Sequence, residues 1–222
     1  LPEVVWSLPR FGTINLHGSL LPRYRGAAPI HWAIINGDQE TGVTTFRLRH
    51  ELDTGDLLLQ ARLPIAPEDN VGKIHDTLMH VGAETLVKTV DLFLQDRDPE
   101  GIPQSSVDEA PTPAPKLTKE NTELHWDRPT NALHNQVRGL SPYPAAWATL
   151  TFEGHPSTAF KILESAPLPY PEGTPAPPAG TLVLLPKGRL AVATLDGLLE
   201  IKTLQPPGKK AMPAAAYLNG LR

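Results

Sequence analysis

Two polar residues, Asn15 and His17, end a short apolar run, and their side chains are of the types that acyl transfer to an amine requires. The run starts at Thr13 and breaks at Gly18 and Pro22, which predicts the end of a buried strand followed by a loop. Because residues i and i+2 of a strand share a face, we expect the amide and the imidazole side by side. An amide N–H stabilises negative charge on a carbonyl oxygen, and an imidazole accepts and donates protons near neutral pH.

The spacing alone also fits an ordinary turn, with Asn15 as its cap and His17 as a hydrogen-bonded polar residue. Longer strings favour a catalytic role for the two residues. The signature of folate-dependent formyltransferases resembles the run from Asn15 to Pro22 and the Arg-Tyr-Arg-Gly-Ala-Ala-Pro that follows it. The strings Glu40–Thr45 and Leu52–Asp56 together resemble the second signature of that family. The string Leu204–Met212 is similar to the C-terminal tail of the members that act on methionyl-tRNA. The resemblance extends over nearly all 222 residues.

The resemblance implies roles for individual residues. The catalytic set would be Asn15, His17 and Asp53, the last 36 positions after the histidine, and an ionised Asp53 would favour the imidazolium form of its neighbour. The folate would lie against two loops, formed by Gly18, Ser19, Leu20, Leu21 and Pro22 and by Thr54 and Gly55. Four basic residues are either solvated surface or contacts to tRNA, whose phosphates position a substrate: Arg23, Arg25, Lys209 and Lys210.

The same resemblance implies the reaction. We expect transfer of the formyl group from 10-formyltetrahydrofolate to the α-amine of initiator methionyl-tRNA, for translation initiation, by a cytoplasmic monomer. A formyltransferase acting on an amino sugar is one alternative, because it would share the first two signatures, although the Leu204–Met212 string argues against it. An RNA-binding module with an inert site is the other.

Composition narrows the classes of protein. The chain has no cysteine, and its eight histidines lack metal-ligand spacing, so we expect neither disulfides nor a metal. No apolar run reaches the ~18 residues of a membrane span. The net charge of −4 divides unevenly, since residues 1–115 carry 9 basic and 16 acidic residues and residues 116–222 carry 11 and 8. The second half, at +3, is compatible with an RNA partner.

Periodicity and proline content predict the elements. Three- and four-residue apolar steps predict a helix over 71–95, and short runs rich in β-branched residues predict strands at 42–48 and 57–63. The 25 prolines cluster, notably in a linker at 97–118 and a loop at 167–178. We expect the linker to be extended and to have no core of its own. Five short strands after the linker suggest a small barrel.

The expected fold class is α/β. The resemblance implies an incomplete Rossmann-like formyltransferase domain over residues 1–96 and an OB-like β-barrel, in contact with tRNA, over residues 119–222. The stretch that begins at Leu1 has the pattern of the middle of a domain. We therefore expect the chain to be a fragment that lacks the first strands and helices of the Rossmann-like sheet.

Overall fold

The computed structural model describes residues 2–171, 173 and 175–221. Positions 1 and 222 of the predicted domains, and positions 172 and 174 of the predicted proline-rich loop, lie outside the described residues. The chain divides into two compact units, one built mainly from residues up to Leu117 and the other mainly from Thr118 onwards. Short pieces at Ile34–Gly37 and Asn70–Gly72 belong to the second unit.

The N-terminal elements form a mixed α/β arrangement. In chain order they are α1 (Glu3–Trp6), β1 (Ile14–His17), β2 (Arg25–Gly26), α2 (Pro29–Ile35), β3 (Glu40–Arg47), β4 (Leu57–Pro64), α3 (Val71–Gln95) and β5 (Pro113–Ala114). The predictions of α3 and of the strands that became β3 and β4 are confirmed. Helix α2 ends at Ile35, two residues before Gly37, whose φ of 79° is a left-handed conformation that glycine adopts without strain.

The sheet of this unit has the order β1-β3-β4, and both strand pairs are antiparallel. A parallel Rossmann-like arrangement is therefore not present among these three strands. The β1–β3 register pairs Asn15 with Phe46 and His17 with Thr44. Both polar side chains of β1 accordingly lie on one face of the strand. Helix α3 is joined to the sheet by a 2.8 Å hydrogen bond between the hydroxyls of Thr45 and Thr89.

The proline-rich segment, which was expected to be extended and to have no core of its own, contributes residues to the packing of the first unit. Strand β5 pairs in parallel with β2, and Ala114 is completely buried. Val107 packs against a buried cluster of Leu21, Phe46 and Leu57. The segment up to Leu117 is therefore part of the first unit. Proline content predicted its extended backbone but not its packing.

The second unit consists of a sheet with two helices. Its elements are α4 (Thr130–Leu140), β6 (Ala146–Leu150), β7 (Thr158–Leu168), β8 (Leu182–Leu185), β9 (Arg189–Ala193), β10 (Leu198–Gln205), β11 (Met212–Pro213) and α5 (Ala214–Asn219). The sheet order is β6-β7-β10-β9-β8, with β11 also paired to β10, and every pair is antiparallel. Its core contains Phe160, Ile162, Leu190 and Leu199, all at most 1% exposed.

Within the described part of the chain, no helix is both long enough and apolar enough to cross a bilayer. Over the same residues, no group of three or more potential metal-ligating side chains is found.

Helix α4 begins without a capping side chain of its own, since Pro129 precedes it. Asp196 supplies the cap from a distant turn, because its Oδ1 accepts hydrogen bonds from the backbone nitrogen of Thr130 at 2.7 Å and from its hydroxyl at 2.8 Å. These bonds, the backbone one foremost, lower the pKa of Asp196. A carboxylate at a helix N-terminus is also favoured by the helix dipole.

We predict that Asp196→Ala lowers the thermal midpoint of unfolding at pH 7 and that the difference from wild type closes in acid. A depressed folded-state pKa contributes stability above the unfolded-state value of about 3.9, and that stability is lost as pH falls through the folded value. Calorimetry between pH 7 and pH 3 measures the difference in thermal midpoint between the variant and the wild type. Glu153→Ala, which removes an exposed carboxylate, is the matched control, and an equal effect of the two changes would disprove the cap.

Candidate active site

His17 is held at both ring nitrogens. Its Nε2 lies 2.8 Å from the carbonyl oxygen of Tyr24, and its Nδ1 lies 3.7 Å from Oδ2 of Asp53. Because a carbonyl oxygen only accepts hydrogen bonds, Nε2 must carry a proton. The ring is 6% exposed, and it meets the ring of Phe46 edge-on at 6.5 Å between centroids. The protein thus fixes both the plane of the imidazole and the nitrogen that is protonated.

The two residues that face His17 both adopt left-handed backbone conformations. Tyr24 has φ 61° and Asp53 has φ 53°. Such conformations are uncommon outside glycine and cost roughly 1–3 kcal/mol each where the surrounding structure imposes them. Asp53 is buried at 7% exposure, and its Oδ2 also accepts a hydrogen bond from the Gly26 nitrogen at 2.9 Å. Backbone strain on both sides of one imidazole indicates a site whose geometry is imposed by the fold.

Asn15 presents a free amide beside this pair. Among the described residues, none makes a hydrogen bond to its side chain. Asn15 and Asp53 line one depression of about 320 Å³, at the small end of the range for ligand sites. The rest of the lining is Trp6, Leu48, Arg49, His50, Glu51 and Leu52. An amide donor and a carboxylate therefore border the same space.

The first predicted folate loop is more deeply buried than expected. Ser19 is fully buried, and its hydroxyl donates to the Arg23 carbonyl at 2.7 Å. Leu21 is 1% exposed within the Phe46 cluster. Thr44 holds both, since its hydroxyl donates to the Ser19 carbonyl and accepts from the Leu21 nitrogen. The side chains of Ser19 and Leu21 therefore brace the loop and do not form an open wall.

The other predicted folate contacts of this loop, at Gly18, Leu20 and Pro22, differ in how deeply they are buried. Gly18 lies against Ile30, where an added Cβ would come within 3.1 Å, and Pro22 is buried. Leu20 is half-buried and lines a second depression with Arg23 and Asp38. These positions surround the Asn15–His17 strand end but do not share the depression that contains Asn15.

The second loop turns sharply at Gly55. A Cβ added there would lie 1.6 Å from the Arg47 carbonyl oxygen, so that only glycine fits. The neighbouring Thr54 is half-buried and donates its hydroxyl to the Glu51 carbonyl at 3.1 Å. Gly55 therefore shapes the turn that carries Asp53.

The four basic residues have different surroundings. Arg23 is paired with Asp38 at 2.7 Å; burial acts to lower its pKa, but the hydrogen bond to Asp38 and nearby charges raise it overall. Arg25 donates to the side-chain carbonyl of Gln104 at 2.6 and 3.1 Å. Lys209 and Lys210 are exposed in the second unit.

Sequence reasoning missed Gln104 and Thr112. Gln104 is 6% exposed and donates to the carbonyl oxygens of Asp53 and Gly55, whereas Thr112 accepts a hydrogen bond from the Tyr24 nitrogen. Both belong to the segment that was predicted to be a linker. No local pattern could have identified them, because their partners lie roughly 50 and 90 positions away in the chain.

Comparison with known proteins bears directly on this geometry. Residues 1–90 match the family described as formyl transferase, and residues 116–222 match the formyl transferase C-terminal domain. The methionyl-tRNA formyltransferase of Bacteroides fragilis is 49% identical over 222 residues, which cover 99% of this chain and 67% of that protein.

Two solved structures show the same fold at low sequence identity. HypX from Aquifex aeolicus in complex with tetrahydrofolic acid is 21% identical, with a TM-score of 0.69 over 98% of this chain and 36% of that one. An N-formyltransferase from Helicobacter canadensis, in complex with folinic acid and dTDP-3-aminofucose, is 19% identical, with a TM-score of 0.64 over 85% of this chain and 64% of that one.

The two family matches account for nearly the whole chain, and the curated relative is similar from one end of it to the other. The predicted resemblance is confirmed: this protein belongs to the formyl transferase family, among the methionyl-tRNA formyltransferases.

Proposed function

We propose that this protein transfers the formyl group of 10-formyltetrahydrofolate to the α-amine of initiator methionyl-tRNA, for translation initiation. The observation that carries the proposal is the juxtaposition of a free Asn15 amide with the His17–Asp53 pair at one end of β1. Identity of 49% to a methionyl-tRNA formyltransferase supports the substrate. The bound formyl-folate supplies the one-carbon group, and the residues of this chain orient it and stabilise charge.

The roles follow from the hydrogen bonds of each group. The Asn15 amide is available to donate to the formyl oxygen, where negative charge develops during attack. His17 holds one proton on Nε2, and its Nδ1 faces the carboxylate of Asp53. With both nitrogens directed at protein acceptors, His17 is better placed to stabilise charge than to shuttle protons. A generic α-amine has a pKa near 7.7, and a substantial neutral fraction can attack without a strong base.

The residues around Asn15 fit a folate. Trp6 offers an aromatic face, and Asn15, Asp53 and the neighbouring polar side chains offer hydrogen bonds to a planar heterocycle. From family membership we infer a Rossmann-like catalytic fold, an OB-like barrel in the second unit, and a cytoplasmic monomer that needs no metal. The domain limits at 96 and 119 and the proposed folate and tRNA contacts remain predictions.

An amino-sugar substrate is the competing function. The similarity to the Helicobacter enzyme is at the level of the fold, whereas the match to the formyl transferase C-terminal domain covers all of residues 116–222. Formyl transfer measured side by side on methionyl-tRNA and on a nucleotide-linked amino sugar distinguishes the two functions. Turnover of the tRNA alone supports the proposal, and turnover of the sugar alone contradicts it. Transfer to neither by the full-length protein, with tRNA binding retained, would favour the inert RNA-binding module.

We predict that His17→Ala and Asp53→Ala in the full-length protein each lower kcat by about 100-fold or more, as removal of a positioned catalytic group does. Because the two act as a unit, the double variant should lose little beyond the worse single variant. Single-turnover rates at saturating substrates make the comparison. Fully multiplicative losses would show that the two residues act independently.

A second prediction concerns Lys209 and Lys210, which are exposed in the half of the chain with a net charge of +3. Changing both to alanine should raise KM for methionyl-tRNA and leave KM for the folate unchanged, because phosphate contacts position a substrate without altering chemistry. The log–log salt dependence of tRNA binding should flatten by about one unit per lost contact.

The control for the lysine variant is the double change Lys88→Ala and Arg97→Ala, which removes two exposed cations from the acidic half. Steady-state kinetics at several salt concentrations compare the two proteins. If both proteins show the same rise in KM for tRNA, the effect of the lysines is one of net charge alone. A raised KM for the folate would instead indicate that the lysines lie near the reacting groups.

A further inference from the structure

We propose that Gln104 and Thr112, two residues of the proline-rich segment 104–114, are positioning residues for His17 and Asp53. This inference rests on the proposed function. The segment lies between the two stretches that match the family, which end at residue 90 and resume at residue 116. Its contacts with the site are therefore a property of this chain's structure that neither domain match contains.

Gln104 fixes the turn that carries Asp53. Its Nε2 donates to the carbonyl oxygens of Asp53 at 2.8 Å and Gly55 at 2.9 Å. Its Oε1 accepts two hydrogen bonds from the guanidinium of Arg25. All four bonds use a side chain that is 6% exposed, so that both hydrogens and the oxygen of the amide are satisfied within the protein. A buried amide with this set of partners ties the Asp53 turn to the loop after β1.

Thr112 fixes the other partner of His17. Its hydroxyl accepts a hydrogen bond from the Tyr24 nitrogen at 2.9 Å, and its carbonyl accepts one from the Arg25 nitrogen, also at 2.9 Å. The peptide group between Tyr24 and Arg25 is therefore held on both sides. Its carbonyl oxygen receives the Nε2 proton of His17, and its N–H is bound by Thr112. The segment thus orients the acceptor that fixes the imidazole.

Gly26 connects these two supports. Its nitrogen donates to Oδ2 of Asp53, and in the β2–β5 pair it lies opposite Ala114. The backbones approach so closely that a Cβ on Gly26 would come within 2.5 Å of the Ala114 carbonyl oxygen. A small displacement of the segment would therefore move the donor that holds the carboxylate.

The chemistry depends on this alignment because both residues beside His17 have left-handed backbones. Strained conformations persist only when neighbouring contacts over-determine them. Misplacing a catalytic group by about 1 Å can cost a large part of the rate. Releasing either support should consequently slow the chemical step without weakening substrate binding.

The first test compares Thr112→Val, which removes the hydroxyl at nearly constant volume, with Thr112→Ser, which retains it. Thr112→Val should lower kcat by about tenfold or more, with KM for both substrates unchanged, and Thr112→Ser should restore most of the rate. Ser106→Ala is the control, because its exposed hydroxyl lies in the same segment and donates only to Pro103. An unchanged kcat in folded Thr112→Val, or a loss that appears only in KM, overturns the proposal.

The second test is independent of turnover. Amide hydrogen exchange at Gly26 reports whether its nitrogen still donates to Asp53. Gln104→Met, which keeps the length of the side chain without its hydrogen bonds, should raise the exchange rate at Gly26 and leave exchange in the core of α3 unchanged. Wild-type protection at Gly26 in this variant would contradict the role of Gln104, and so would equal acceleration throughout the unit, which would indicate general destabilisation.

The two tests separate this inference from the proposed function. If wild-type protein formylates neither methionyl-tRNA nor a sugar, the proposed function fails, whereas the exchange result still decides whether Gln104 holds Asp53. If the wild type is active and both the Thr112→Val rate and the Gly26 exchange are normal, the proposed function stands and the positioning role is disproved.

Discussion

The hydrogen bond from Nε2 of His17 to the Tyr24 carbonyl is the constraint on which the site depends. It commits one ring nitrogen to donation and leaves the other facing Asp53. A carbonyl is an acceptor under all conditions, so that the bond sets the tautomer as well as the ring orientation. Tyr24 presents this carbonyl from a left-handed backbone conformation, and the surrounding hydrogen bonds must offset the strain of that conformation.

The rest of the first unit serves to hold the two sides of this imidazole. The β1–β3 register sets Asn15 and His17 on one face, and Phe46, in the buried cluster with Leu21 and Leu57, lies at the edge of the ring. The loop after β1 is held by hydrogen bonds to Thr44 and to Thr112 of segment 104–114. The proposed chemistry at the site is therefore linked to packing in a part of the chain that composition alone would assign to a spacer.

Sequence reasoning succeeded where a signal repeats locally. Helix α3 was predicted with its observed limits because its apolar steps persist over 25 residues. The approach of His17 to Asp53 followed from a family resemblance, since a separation of 36 positions carries no distance by itself. The burial of Ser19 and Leu21 was missed because a loop signal does not reveal which of its side chains turn inward.

The packing of the proline-rich segment was missed because it depends on contacts between residues that are distant in the chain. Gln104 finds its partners about 50 positions away. Prolines predict an extended backbone, but an extended backbone can either span solvent or add an edge to a fold. Only the long-range hydrogen bonds distinguish the two.

The most direct test of this account is the protonation state of His17 in the substrate-free wild-type protein, read from its ring ¹⁵N chemical shifts with long-range ¹⁵N–¹H correlation. The account predicts that the neutral imidazole carries its proton on Nε2 and none on Nδ1. A neutral form that carries its proton on Nδ1 would contradict it, because Nε2 could then not donate to the Tyr24 carbonyl and the site would have to be arranged differently.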